Sequence, residues 1–265
     1  MAQPTVIAID WSGARRPKGI WLAAVRAGRL VESRALDTRE EAVEYVLRAE
    51  PPMVAGFDFS FGVPEWFALE NGCASIDDVW ALAAREGERW LAPTEPFWRD
   101  RCCVPVEQRF RRCELRYPGA KSVFQLVGNG QVGAGSVRGM PLLARMRADG
   151  VAIWPFDAPG DRTVAEVYPA LAVGRRHLAS VATPDGRARF VDSIRPGTAA
   201  RFPDLARSRD AFDAAAAAFL LAGAPGARAG TPGATPVSPD RGLEGEIWAP
   251  APVPAKGSGW PSPPS

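Results

Sequence analysis

Apolar residues recur along the chain in two rhythms, and the switches between them mark the elements. Val6-Ile7-Ala8-Ile9 is an unbroken, partly β-branched run, the pattern of a strand covered on both faces. It stops at Asp10, before a Ser12-Gly13 turn. Apolar runs at 20–25 and 30–36 follow after short polar turns, so the spacing predicts consecutive antiparallel strands. The period then lengthens. Thr38 reads as an N-cap with Glu41 three residues on, and Ala42, Val43, Tyr45, Val46 and Leu47 supply one apolar face. A helix is therefore expected over 38–49, ended by Pro51-Pro52. The run at 53–58 reads as a fourth strand. Because a helix precedes it, it is expected to lie parallel to the first. Like the first, it ends in an aspartate, Asp58.

Beyond this point the pattern is less regular. Helices are expected at 64–69 and 76–91, the second packing through Trp80 and Trp90. Residues 95–117 are irregular and arginine-rich, with Trp98 and Phe110 interleaved, as on a surface that tracks phosphates and stacks bases; with Glu107 and Glu114 among the arginines, the stretch reads equally as a solvated or ion-paired insertion. A strand is expected at 122–127, a glycine-rich loop at 128–136, a helix at 141–148 and a strand at 151–155. Gly128, Gly130 and Gly133 satisfy G-x-G-x-x-G, but the helix starts late for a dinucleotide site, and a loop lining a cleft is the better reading. The alternating run at 163–168 is a further strand, with Glu166 near its end and Pro169 opening a helix. Residues 173–203 are mixed and polar, with Pro184-Asp185-Gly186 as a turn. A last helix spans 208–221, where Asp210 and Asp213 stand i,i+3 on one face beside a run of alanines. Ile247 and Trp248 suggest a small strand or docking segment over 245–249, and 250–265 reads as a disordered tail.

Composition narrows the chemistry. With 265 residues and 46% hydrophobic content, the chain can bury a core, and residues 1–225 are expected to form one domain followed by a Pro/Gly-rich tail over 226–265. The net charge of +2 advertises no long polyanion by itself. Cys73, Cys102, Cys103 and Cys113 lack CxxC spacing, and the single histidine, His177, is far from them, which argues against zinc and for reduced thiols in a cytoplasmic protein. No run is long and apolar enough for a membrane span, so no membrane partner is expected.

What remains is a set of carboxylates. Asp10 and Asp58 end neighbouring strands, Glu166 nearly ends another, and Asp210 and Asp213 sit early on the last helix. Clustered carboxylates repel unless a cation neutralises them, and an oxygen-only set suits Mg²⁺ or Mn²⁺. Two such ions, about 3.5–4 Å apart, activate water and stabilise the leaving oxygen of a phosphodiester.

The chain resembles the RNase H-like superfamily and, more narrowly, an uncharacterised family of predicted RNase H-like nucleases, domain-of-unknown-function family 429. The motifs are Ile9-Asp10-Trp11-Ser12-Gly13, Gly56-Phe57-Asp58-Phe59-Ser60, Ser122-Val123-Phe124-Gln125, Trp154-Pro155-Phe156-Asp157, Glu166-Val167-Tyr168-Pro169 and Asp210-Ala211-Phe212-Asp213-Ala214. The resemblance implies an α/β fold with a mixed five-stranded sheet (β-β-β-α-β-α-β-α) and a large insertion over about 74–150. It implies metal ligation by Asp10, Asp58, Glu166 and Asp213, with Asp210 a fifth candidate. The expected activity is metal-dependent hydrolysis of a nucleic acid, DNA or RNA, with Arg109, Arg112, Ser136 and Arg138 positioning phosphates. Two alternatives belong to other classes. One is an ATP-binding or phosphotransferase protein that uses the Asp10-Trp11-Ser12-Gly13 turn and the glycine loop. The other is a non-catalytic binding or regulatory domain.

Overall fold

The computed structural model describes residues 4–16, 18–117, 119–128, 131–174, 177–223 and 242–249. The expected disordered tail over 250–265, and the boundary placed at 225–226, lie outside them. The strands are β1 (Thr5–Asp10), β2 (Ile20–Arg26), β3 (Arg29–Leu36), β4 (Met53–Phe57), β5 (Ala152–Ile153) and β6 (Arg162–Glu166). Among the described residues there are eleven α-helices. They are α1 (Arg39–Arg48), α2 (Glu65–Glu70), α3 (Ile76–Trp90), α4 (Val106–Arg109), α5 (Arg112–Arg116), α6 (Val132–Ala148), α7 (Pro169–Val173), α8 (Pro184–Ile194), α9 (Thr198–Arg201), α10 (Asp204–Arg207) and α11 (Arg209–Gly223).

The strands form one mixed sheet in the order β3-β2-β1-β4-β6-β5. β1, β2 and β3 pair antiparallel, as their short connections require. β4 lies parallel to β1, with Ile9 opposite Phe57, and β6 lies parallel to β4, with Phe57 opposite Glu166. The sheet has six strands rather than five, because the two-residue β5 adds a short outer pairing to β6.

The period-2 alternation of β1 sorts its side chains between two cores. Ile7 and Ile9 enter one core with Met53, Ala55, Phe57 and Val164, covered by residues of α1, α3 and α6. Val6 and Ala8 enter the other with Val54, Ala165 and the alanines of α11. The small residues let that helix lie close: a Cβ at Gly56 would stand 2.7 Å from Leu221 Cδ1. Trp80 and Trp90 are buried, as the sequence indicated. Thr38 caps α1 by accepting from the Glu41 N–H, but Glu41 accepts from the Asp37 N–H instead of closing a capping box on Thr38.

Three local expectations need correction. Residues 122–127 are a turn with one bridge, Trp98 to Gln125, rather than a strand. The Ser122 hydroxyl accepts from the Phe124 N–H and donates to the Arg109 carbonyl, and such local bonds compete with a sheet ladder. The expected glycine loop is largely helix, since α6 begins at Val132 and runs through Pro141. Its glycines are contact points. A Cβ at Gly133 would lie 2.5 Å from the Val123 carbonyl, and one at Gly139 would lie 2.5 Å from the Phe59 ring. Packing therefore overrides the weak helix propensity of glycine. Asn129 and Gly130 lie outside the described residues. Finally, Pro184-Asp185-Gly186 is the first turn of α8, with Thr183 as N-cap and Pro184 at its start.

Candidate functional site

Strand parity decides which acids meet. Asp10 ends β1 on the side of Val6 and Ala8, the face covered by α11. Asp58 directly follows β4, held in register by its N–H donating to the Ile9 carbonyl at 3.1 Å. Asp210 and Asp213 occupy the first turns of α11, which packs on β1 and β2. Asp210 also approaches the start of β2, where a Cβ at Gly19 would stand 2.5 Å from its Oδ2.

Electrostatics show the four aspartates acting on one another. Burial pushes the Asp10 carboxyl well above the usual range, and Asp58, Asp213 and Asp210 push it further. Asp58 is raised well above its ordinary value by burial, then by Asp213 and Glu166. Burial also raises Asp213 and Asp210, with Arg209 opposing it in both. Asp213 Oδ2 accepts from Arg209 Nε at 2.6 Å, whereas its Oδ1 is buried with no partner. Among the described residues, no hydrogen bond or ion pair engages the carboxylates of Asp10, Asp58 or Asp210. As the side chains stand, no group of three or more carboxylate, thiol or imidazole side chains among the described residues is arranged to hold a metal ion.

Glu166 is used differently. Val164 belongs to the core on the α6 side, so Glu166, two residues on, projects to that face and away from the side of Asp10. It is 3% exposed. Its Oε1 accepts from Arg111 Nη2 at 2.5 Å, and its Oε2 accepts from Arg111 Nη1 at 2.8 Å and from the Phe61 N–H at 3.0 Å. Arg111 is fully buried and uses all five of its N–H donors. The other three reach Glu114 Oε1, Ser60 Oγ and the Glu244 carbonyl, each at 2.9 Å. Sequence reasoning did not single out Arg111. Its only distinguishing signal was Glu114 three residues on, a spacing that marks a helix-turn ion pair.

The four expected phosphate-positioning residues do not converge on the aspartates. Arg109 donates to the Val104 carbonyl at 2.7 Å, and Arg112 pairs with Glu65 at 2.8 Å. Ser136 is fully buried; its hydroxyl accepts from the Ser60 N–H and donates to the Val132 carbonyl, tying α6 to the loop after β4. Arg138 pairs with Glu88 and donates to the Gly13 carbonyl. Elsewhere in the insertion, Arg99 donates to the Leu91 carbonyl and Arg116 pairs with Glu246. His177 is exposed, and all four cysteines are free thiols.

A cleft of about 710 Å³ opens at this end of the sheet. Asp58, Asp210, Asp213 and Glu166 line it, together with Arg111, Lys121, Tyr168, Leu178 and Arg209. Burial, Asp58 and Asp213 all raise the Tyr168 phenol above its ordinary value, which keeps it a neutral hydrogen-bond donor. The segment 242–249 closes part of the rim. Ile247 bridges to Glu166, and the Trp248 N–H donates to the Glu166 carbonyl at 2.8 Å, which is the docking expected from the sequence.

The arrangement defines an α/β protein with aspartates at adjacent strand ends facing an aspartate-bearing helix. The chain matches, over residues 8–240, the family described as "Protein of unknown function (DUF429)", and it belongs to that family. No curated protein and no solved structure matches it. The family match stops short of the docked 242–249 segment. No helix among the described residues is long and apolar enough to cross a membrane.

Proposed function

We propose that the protein is a divalent-cation-dependent phosphodiesterase, a nuclease of RNase H-like architecture, with its chemistry at Asp10, Asp58 and Asp213. One observation carries the reading: Asp10 and Asp58, on adjacent parallel strands, face the helix bearing Asp213, and among the described residues no ion pair engages Asp10 or Asp58, while Arg209 pairs with Asp213 and Arg187 acts on it more weakly. An uncompensated cluster of this kind is costly to bury, and such costs concentrate where a ligand or reaction needs them. The donor set is entirely oxygen, which suits Mg²⁺ or Mn²⁺. The Oδ1 of Asp213, buried and with no hydrogen-bond partner among the described residues, is an oxygen left for a cation.

Asp10, Asp58 and Asp213 would hold the cation, with Asp210 beside them. The aspartate side chains must turn toward one another to do so. Glu166, committed to Arg111, would act by fixing the loop after β4 through Phe61 rather than by ligation. When bound, the cation would supply an activated water and charge stabilisation for the departing oxygen. Tyr168 and Lys121 would orient the phosphate within the cleft.

The test is cleavage of single- and double-stranded DNA and RNA in Mg²⁺ or Mn²⁺ by the native chain and by Asp10→Asn. The expected outcome is hydrolysis by the native chain alone, with both proteins folded. Equal cleavage by the two proteins refutes the assignment.

A further inference from the structure

We propose that the cleft grips a dinucleotide-sized phosphodiester unit and makes no extended contact with the rest of a longer strand; this rests on the phosphodiesterase reading above. Two observations lead there. The first is how the arginines are spent. A protein that follows a long backbone needs a run of cations left over for phosphates. In the insertion, Arg99 and Arg109 are turned onto carbonyl oxygens, and Arg111, Arg112, Arg116 and Arg138 are paired with glutamates. Among the described residues of the insertion, Arg101 and Lys121 are left without such a partner, too few for a continuous basic track that grips a polyanion.

The second observation is the cleft itself. Its volume of about 710 Å³ falls in the range, roughly 300–1,000 Å³, of clefts that enclose a small molecule. Its lining divides by chemistry. Tyr168 and the exposed Leu178 offer ring and aliphatic surface for a base or sugar, Lys121 and Arg209 offer positive charge, and Asp58 and Asp213 supply the carboxylates. Lys121 is exposed, and among the described residues it forms no ion pair. One unpaired lysine and one shared arginine match the charge of one or two phosphates. In hydrolysis the oxygen of water bonds to phosphorus and the bond from phosphorus to one ester oxygen breaks. That oxygen leaves carrying a proton, which gives a phosphomonoester and an alcohol.

The experiment is calorimetric titration of the full chain, and of Lys121→Ala, with an adenine dinucleotide and with a long adenine strand in Mn²⁺, followed by product analysis of the same mixtures. The dinucleotide should bind the native chain, and Lys121→Ala should weaken it by roughly tenfold or more, the loss of one charge-assisted phosphate contact. The long strand should gain no more than a few-fold over the dinucleotide. Absence of dinucleotide binding, unchanged affinity in Lys121→Ala, or a gain of orders of magnitude with the long strand overturns the inference. Dinucleotide binding without hydrolysis overturns the phosphodiesterase reading and leaves the binding site standing. Hydrolysis of long strands without dinucleotide binding does the reverse.

Discussion

Replacing Arg111 by methionine removes the one cation buried among Glu114, Glu166 and Ser60 while nearly preserving side-chain volume. Arg111 is 0% exposed, and Glu114 and Glu166 are 3% exposed each, so no solvent takes over its role. Five N–H donors are lost, three of them to carboxylate oxygens. Stripping one partner from a buried ion pair costs about 3–5 kcal/mol, because the remaining charge is stranded. The Glu244 carbonyl and the Ser60 hydroxyl also lose a donor, which keeps the expected loss at the upper end of that range. Against a typical total stability of about 5–15 kcal/mol, this is a large fraction. Urea unfolding followed by tryptophan fluorescence gives the value directly. The control is Arg112→Met, whose partner Glu65 lies at the surface and whose loss should cost no more than about 1 kcal/mol. Burial raises the Glu114 carboxyl and Arg111 opposes that rise, so the Arg111→Met deficit should also shrink as the pH falls and Glu114 takes up a proton. A deficit of less than about 1 kcal/mol at neutral pH refutes the claim that this network holds the loop after β4 in place.

Other outcomes follow from the same physics. Asp10 and Asp58 have raised carboxyl pKa values in the folded chain, so without metal the folded state binds more protons than the unfolded state above the ordinary carboxylate range. The stability they contribute is fully present below the unfolded value and is lost as the pH rises through the folded values. The metal-free protein should therefore melt at higher temperature in mild acid than at neutral pH. Asp10→Asn and Asp58→Asn should each raise the neutral-pH melting temperature and flatten this profile, and a profile that rises with pH in the native chain contradicts the assignment. Gly139→Ala places a Cβ 2.5 Å from the Phe59 ring and should cost about 1–3 kcal/mol by overpacking; an unchanged midpoint in urea would show that α6 tolerates a looser fit.

The elements with a clean period were legible without coordinates. The unbroken run at Val6–Ile9, the apolar face of α1 and the preceding-helix argument for β4 together predicted a parallel pair with an aspartate at each end, and the sheet has it. The docking of Ile247 and Trp248 was also visible as an apolar island in a polar tail. Failures came where tertiary contact outweighs local preference. Gly133 and Gly139 read as loop because glycine is a poor helix former, but their missing side chains are what let α6 touch the turn at Val123 and the Phe59 ring. Glu166 shared the strand-end position of Asp10 and Asp58, and the resemblance grouped it with them. It lines the cleft with Asp58, Asp210 and Asp213, but its parity with Val164 puts its carboxylate within reach of Arg111, a partner visible only once the chain is folded. The arginines of 95–117 looked interchangeable, and only folding distinguishes buried Arg111 from surface Arg112.

The most direct test of the central claim is Mn²⁺ titration of the metal-free chain by electron paramagnetic resonance, set beside Asp58→Asn and Asp213→Asn. The native chain should bind Mn²⁺ saturably, and either substitution should weaken that binding by roughly tenfold or more with the folded structure retained. Native and substituted chains that bind Mn²⁺ equally, or a native chain that binds none, would contradict that claim.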